Sequence, residues 1–258
     1  MAYDIEIRFL GGLTSSQRDA FDAARERWSK VIVSNLPSVV VGADVIDDIL
    51  IEANGEFGDG PDGVLGQAGP THLRPSGPES TANLPAKGIM TFDSADLDAM
   101  ESDGTLLDVI THEMGHVIGI GTVWLLKRLL SGTGTPNATF TGRGACREFG
   151  TLRRTGSTPV PIENTGGEGT ADSHWSERVF GNELMSGFVR VPGNPLSRMT
   201  VASLEDIGYT VNLAAAESYN LPNLRSLDTE GSSTSRSVLG RRVLPVLDPK
   251  ILPRDSLR

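Results

Sequence analysis

Cysteine is almost absent from this chain of 258 residues, with Cys146 as the single example. One thiol excludes an intrachain disulfide framework, so folding does not depend on an oxidising compartment, and the compartment stays open. An excess of positive charge is also missing: 23 Lys and Arg stand against 33 Asp and Glu, a formal net charge of −10. Nucleic acid and anionic membrane are therefore not expected as partners, because either would draw on a basic face. No apolar run reaches the length of a membrane span. The opening MAYDIEIRFL alternates like a strand and lacks the basic start and apolar run of a signal peptide. No internal repeat is evident, and one large domain is the simplest count for this length. Histidine is scarce too, with His72, His112, His116 and His174 the full set.

Two of those four lie in residues 105–119, TLLDVITHEMGHVIG, around which the rest of the chain makes sense. Thr105 followed by Asp108 is a variant of the N-terminal capping box, and Gly119 can turn left-handed where a helix ends. At helical spacing Leu106, Leu107, Ile110, Met114, Val117 and Ile118 share one arc that can bury against a sheet. His112 and His116, four residues apart, project side by side from a neighbouring arc and can reach one small cation. Glu113 is offset around the helix, outside the first shell yet within reach of a water on the metal. With histidine this scarce, coincidence is a weak competitor to the HExxH reading. A structural zinc site is the stronger one, but such sites close the shell with four ligands, commonly including cysteine, and Cys146 stands alone.

Taken in order, the opening strand is followed by a turn at Gly11 and Gly12. A helix over residues 14–33 has Phe21, Ala24, Trp28 and Val31 on its apolar face. Residues 45–53 are a second strand, which makes a crossover unit with that helix on a sheet. The acidic, Gly-rich 55–63 reads as a loop whose Asp59 and Asp62 are the candidate carboxylates for calcium, although a solvated turn explains the composition as well. Residues 64–69 form a short edge strand with backbone open to an extended peptide. A Pro, Ser and Gly-rich loop at 70–87 contains His72, which reads as a solvated loop histidine, and 88–93 is the last strand before the zinc helix. Residues 124–130 are a short apolar segment and 131–172 a long irregular one. A helix over 196–209 has Met199, Leu204 and Ile207 as apolar positions. From Pro222 the Ser-rich, Pro-punctuated composition reads as a tail or linker.

From the zinc helix to the late helix these residues resemble the leishmanolysin-like branch of the metzincin zinc peptidases. Metzincins place a glycine three residues after the second histidine, as Gly119 is here, and usually a third ligand three residues later. That position is Thr122, a poor ligand for zinc. In the leishmanolysin-like branch an insertion delays the third histidine until shortly before the Met-turn. His174 in Ser173-His174-Trp175 and Met185 in Asn182-Glu183-Leu184-Met185-Ser186-Gly187 resemble those two landmarks. Residues 63–68, GVLGQA, are similar to the metzincin edge strand that binds substrate backbone, which implies Leu65, Gly66 and Gln67 as substrate-binding positions. Elimination points the same way for the third ligand: Cys146 has no counterpart in the family, and His72 lies upstream of the helix.

The expectation is a mixed α/β (α+β) fold with a metzincin-type twisted, mostly parallel sheet and an active-site helix. A mainly irregular or helical C-terminal subdomain follows. The catalytic domain covers 1–222, with an insertion at about 122–173, and 223–258 is the tail. The expected activity is zinc-dependent endopeptidase, with zinc on His112, His116 and His174, Glu113 as general base, and protein or peptide as substrate. Two alternatives remain. One is a non-catalytic zinc-containing binding or adhesion module of the same fold. The other is a gluzincin-type peptidase with a glutamate as third ligand, Glu148 being the first after the motif. The resemblance implies an extracellular or cell-surface setting, although the chain opens without a signal peptide, and oligomeric state is not indicated.

Overall fold

The computed structural model describes residues 3–58, 66–167, 169–189, 193–222 and 247–258. Along the chain the elements are β1 (Ile5–Gly11), α1 (Ser15–Val31), β2 (Val39–Val41), β3 (Asp44–Ile46), β4 (Ile49–Glu56), β5 (Gly66–Leu73) and β6 (Pro85–Asp93). These are followed by α2 (Ser94–Asp103), α3 (Leu106–Ile118), β7 (Leu130–Ser131), β8 (Thr139–Phe140), α4 (Arg143–Arg153) and β9 (Val160–Pro161). The last are α5 (Glu177–Phe180), α6 (Arg198–Ile207) and β10 (Lys250–Ile251). The result is a mixed α/β fold with a mostly parallel sheet.

That sheet runs β1-β4-β6-β5-β10. β1 and β4 pair in parallel, as do β4 and β6, whereas β5 runs antiparallel to β6. The crossover expected from the first strand and helix is present, because α1 connects the parallel strands by way of the small β2–β3 hairpin. Ile49, Leu50 and Ile51 are all buried, as suits a strand covered on both faces. Thr14 accepts from the Gln17 N–H while the Gln17 side chain accepts from the Thr14 N–H, a complete capping box that fixes the start of α1. Phe21, Ala24, Trp28 and Val31 form its buried stripe as expected.

Helix α3 packs against α1 on one side and β5 and β6 on the other, so nearly all of it is buried. Leu107 is the departure: it is 41% exposed and does not join the apolar arc expected of it. Thr105 does not cap the helix either. Its backbone is already helical and its hydroxyl donates to Asp103 Oδ1 at 2.6 Å, while Asp108 accepts from the N–H groups of Gly193 and Asn194. Gly119 ends the helix at φ 121°, a conformation that suits glycine.

Two segments are more ordered than their composition suggests. The 131–172 stretch contains α4, whose Ala145, Cys146 and Phe149 pack into the core, and a three-stranded β7-β8-β9 sheet. The 70–87 loop is shorter than expected, because β5 continues to Leu73 and β6 begins at Pro85. At the far end of the chain, β10 adds to the main sheet alongside β5, with Lys250 opposite His72 and Ile251 opposite Leu73. Among the described residues no helix is long and apolar enough to cross a membrane.

Candidate metal centre

Helical spacing brings His112 and His116 onto one face of α3, and the chain beyond Gly121 returns to bring His174 against them. The Nε2 atoms of the three rings form a near-equilateral triangle: 3.0 Å between His112 and His116, 2.9 Å between His116 and His174, and 3.1 Å between His112 and His174. All three residues are buried. Each ring's other nitrogen meets a backbone carbonyl: Nδ1 of His112 lies 2.7 Å from Leu184 O, that of His116 2.9 Å from Ile120 O, and that of His174 3.0 Å from Thr170 O. A carbonyl can only accept, so in the neutral ring Nδ1 carries the proton and Nε2 keeps its lone pair. Burial above all, and the neighbouring ring next, push each imidazole down to about pKa 3, so the rings stay neutral across ordinary pH.

Three lone pairs therefore converge with no proton between them, an arrangement that repels itself until a cation enters. Three nitrogens bonded at about 2.0–2.1 Å to one tetrahedral ion stand roughly 3.3–3.4 Å apart, close to the triangle seen here. Among the described residues, these are the ones that could hold a metal ion. Glu113 adds a second orphan. Its carboxylate is buried, neither oxygen has a hydrogen-bond partner among the described residues, and desolvation pushes its pKa up to about 8. Such a group is costly unless a ligand, water or charge meets it. All-neutral imidazole donors with an adjacent carboxylate suit zinc.

The surrounding chain explains why His174 arrives here from 58 residues beyond His116. Gly121, at φ 77°, lies so close to the backbone of the Ser173 segment that a Cβ there would stand 2.1 Å from Ser173 O. The Trp175 N–H donates to Met185 O at 3.0 Å, and the Glu163 N–H donates to His174 O at 2.8 Å. Met185 is buried beneath α3, where its Sδ would stand 2.9 Å from a Cβ on Gly115. Thr122 faces elsewhere, its hydroxyl donating to His116 O at 2.8 Å. The other candidates are engaged as well. The Cys146 thiol donates to Phe140 O, His72 lies in β5 beside the Thr71 hydroxyl, and the Glu148 carboxylate pairs with Arg198 at 3.0 Å.

Glu183 escaped the reading of the sequence. It is fully buried, and its carboxylate accepts from the Met185 N–H at 2.7 Å, from the Ser197 N–H at 3.1 Å and from the Ser197 and Thr200 hydroxyls. It thus braces the turn whose Leu184 carbonyl orients His112. A buried carboxylate at a turn has no sequence signature of its own; its partner Ser197 caps α6, accepting from the Thr200 N–H. Of the expected substrate-binding positions, Gly66 and Gln67 begin β5 opposite Phe92 and Thr91, while Leu65 lies outside the described residues. Asp59 and Asp62, the calcium candidates, lie outside them too.

A family model described as leishmanolysin matches residues 146–228, a span that includes His174 and Met185. Over that span the chain is similar to leishmanolysin. Among curated relatives, a leishmanolysin-like peptidase of Caenorhabditis briggsae is 36% identical over 102 residues, which cover 39% of this chain and 15% of that protein. One of Caenorhabditis elegans is 44% identical over 75 residues, 28% of this chain and 11% of the relative. A leishmanolysin homolog of Crithidia fasciculata is 27% identical over 136 residues, 48% of this chain and 20% of the relative. The matched region thus spans a fifth or less of each of these relatives.

Proposed function

We propose that this chain is a zinc-dependent endopeptidase with His112, His116 and His174 as zinc ligands and Glu113 as the general base. The observation that carries this reading is the triangle of Nε2 lone pairs beside a buried carboxylate that has no partner among the described residues. Zinc held there would polarise the scissile carbonyl, make the attacking water more acidic, and draw Glu113 toward its carboxylate form. Glu113 then takes a proton from the water as the new O–C bond forms, and gives it to the nitrogen as the C–N bond breaks. Leu184 O, Ile120 O and Thr170 O hold the three rings in one tautomer, a positioning role typical of the groups behind metal ligands. Met185 forms an apolar floor under α3, the part a Met-turn plays. Gly66 and Gln67 of β5 are the positions at which substrate backbone would pair.

Glu113 also separates this reading from a non-catalytic zinc module. A site that only holds a metal gains nothing from an unpaired buried acid, whereas a peptidase uses one. Glu148 as third ligand finds no support, because Arg198 already holds its carboxylate. The test is Glu113→Gln, assayed on a denatured protein substrate with zinc content measured on the same sample. Zinc should be retained and turnover should fall by about 10²-fold or more. Undiminished turnover would remove Glu113 from the mechanism.

A further inference from the structure

The edge of β5 that faces away from β6 is covered over part of its length by the chain itself. Beyond the two residues of β10, the Leu252 N–H donates to Leu73 O at 2.9 Å, and the Leu252 side chain is buried with Val39, Val41, Ile46, Leu50 and Ala86. Arg254 forks onto both Glu79 oxygens at 3.1 Å, and the Arg258 N–H donates to Ser38 O at 2.9 Å. These anchors lie downstream of β10 and fix its position. Running the parallel register back from Lys250 opposite His72 sets Leu247 opposite Gly69. The bare glycine leaves room for it: a Cβ on Gly69 would stand 3.0 Å from the Leu247 Cδ1. Leu247 in turn lines a cavity of about 480 Å³ together with Ala68, His116, Thr122 and Leu125.

We propose that residues 247–252 are an intramolecular occupant of the peptide-binding edge, with Leu247 standing over Gly69 at the rim of the cavity beside His116. This rests on the reading of the cleft as a peptide site. One strand edge pairs with one partner at a time, so an extended substrate that runs from Gly66 and Gln67 past Gly69 has to displace Leu247 before it can lie along β5. The paired stretch is short, which keeps displacement within reach of a substrate. Its tether compensates, since a segment on the same chain competes at an effective concentration on the order of millimolar. The substrate favoured by such a competition is one that brings an aliphatic side chain to the place Leu247 holds.

Leu247→Asp puts a charge where Leu247 stands against Gly69, and Leu247→Gly removes the side chain without adding one; both are made in the full-length, zinc-loaded protein. Affinity for a fluorescent eight-residue peptide with a central leucine is measured in the Glu113→Gln background, so that binding does not depend on cleavage. Both Leu247 variants should bind it about tenfold more tightly than the parent, and with Glu113 intact they should cleave the same peptide with a lower KM. Equal affinity across the three proteins, including no binding by any of them, would overturn the proposal. Weaker binding by the variants would also overturn it, because Leu247 would then help to hold the substrate instead of standing in its place. Tighter binding without turnover in any Glu113-containing form would contradict the peptidase reading alone.

Discussion

At Gly115 an added Cβ would stand 2.9 Å from the Met185 Sδ and 3.0 Å from both its Cε and a ring carbon of Trp28. Gly115→Ala therefore pushes the floor of the metal centre away from α3, and a cost of about 1–3 kcal/mol in denaturant unfolding is expected. An unchanged unfolding midpoint would show that Met185 yields freely. Glu183 acts one step further out, through the turn that holds Leu184 O against His112. Glu183→Gln keeps the shape but weakens the acceptor, and zinc affinity should fall about 10- to 100-fold. If stability falls while zinc affinity holds, the carboxylate braces the fold and not the centre. Lys127 gives a pH signature. Its ammonium donates to Ser80 O and Ala82 O, and burial lowers its pKa from 10.5 to about 8. Between pH 8 and 10.5 the unfolded chain thus holds more protons at this position than the folded one, so its contribution to stability rises with pH. The stability of the wild type relative to Lys127→Met should accordingly improve from pH 7 to pH 9.5. A constant difference would place the ammonium in water.

Among the elements, α3 was legible because a strong period, a terminating glycine and two histidines at helical spacing all coincide. Its capping was misread, since Thr105 and Asp108 have the residue types of a box but spend their side chains on Asp103 and on the 193–194 backbone. Helix α4 was hidden by glycines at 144 and 150, which lower helix propensity. Both are there for close packing: a Cβ on Gly144 would stand 2.9 Å from Ala202 O, and one on Gly150 2.4 Å from Gly156 O. The same kind of contact holds the third histidine. Gly121→Ala should displace the Ser173 backbone and with it His174, and so weaken zinc binding even though Gly121 carries no ligand atom. Wild-type zinc affinity in that variant would show that the 173–175 segment is positioned by Trp175 and Glu163 alone.

For the whole molecule, the sheet order and the convergence of His174 depend on contacts across long stretches of chain, which local periodicity does not record. The first crossover was readable because adjacent elements in sequence are adjacent in space. The pairing of β10 with β5 was not, because a two-residue strand set among prolines has no period to detect. The third ligand was reached through resemblance and elimination, and it is where the reading of function is most exposed. Zinc affinity of His174→Ala, set beside Thr122→Ala and the wild type in one competition titration, tests it most directly. His174→Ala should bind zinc far more weakly and lose peptidase activity, whereas Thr122→Ala, whose hydroxyl only donates to His116 O, should match the wild type in zinc affinity. Tight zinc retention by His174→Ala would contradict the three-histidine centre and the mechanism built on it.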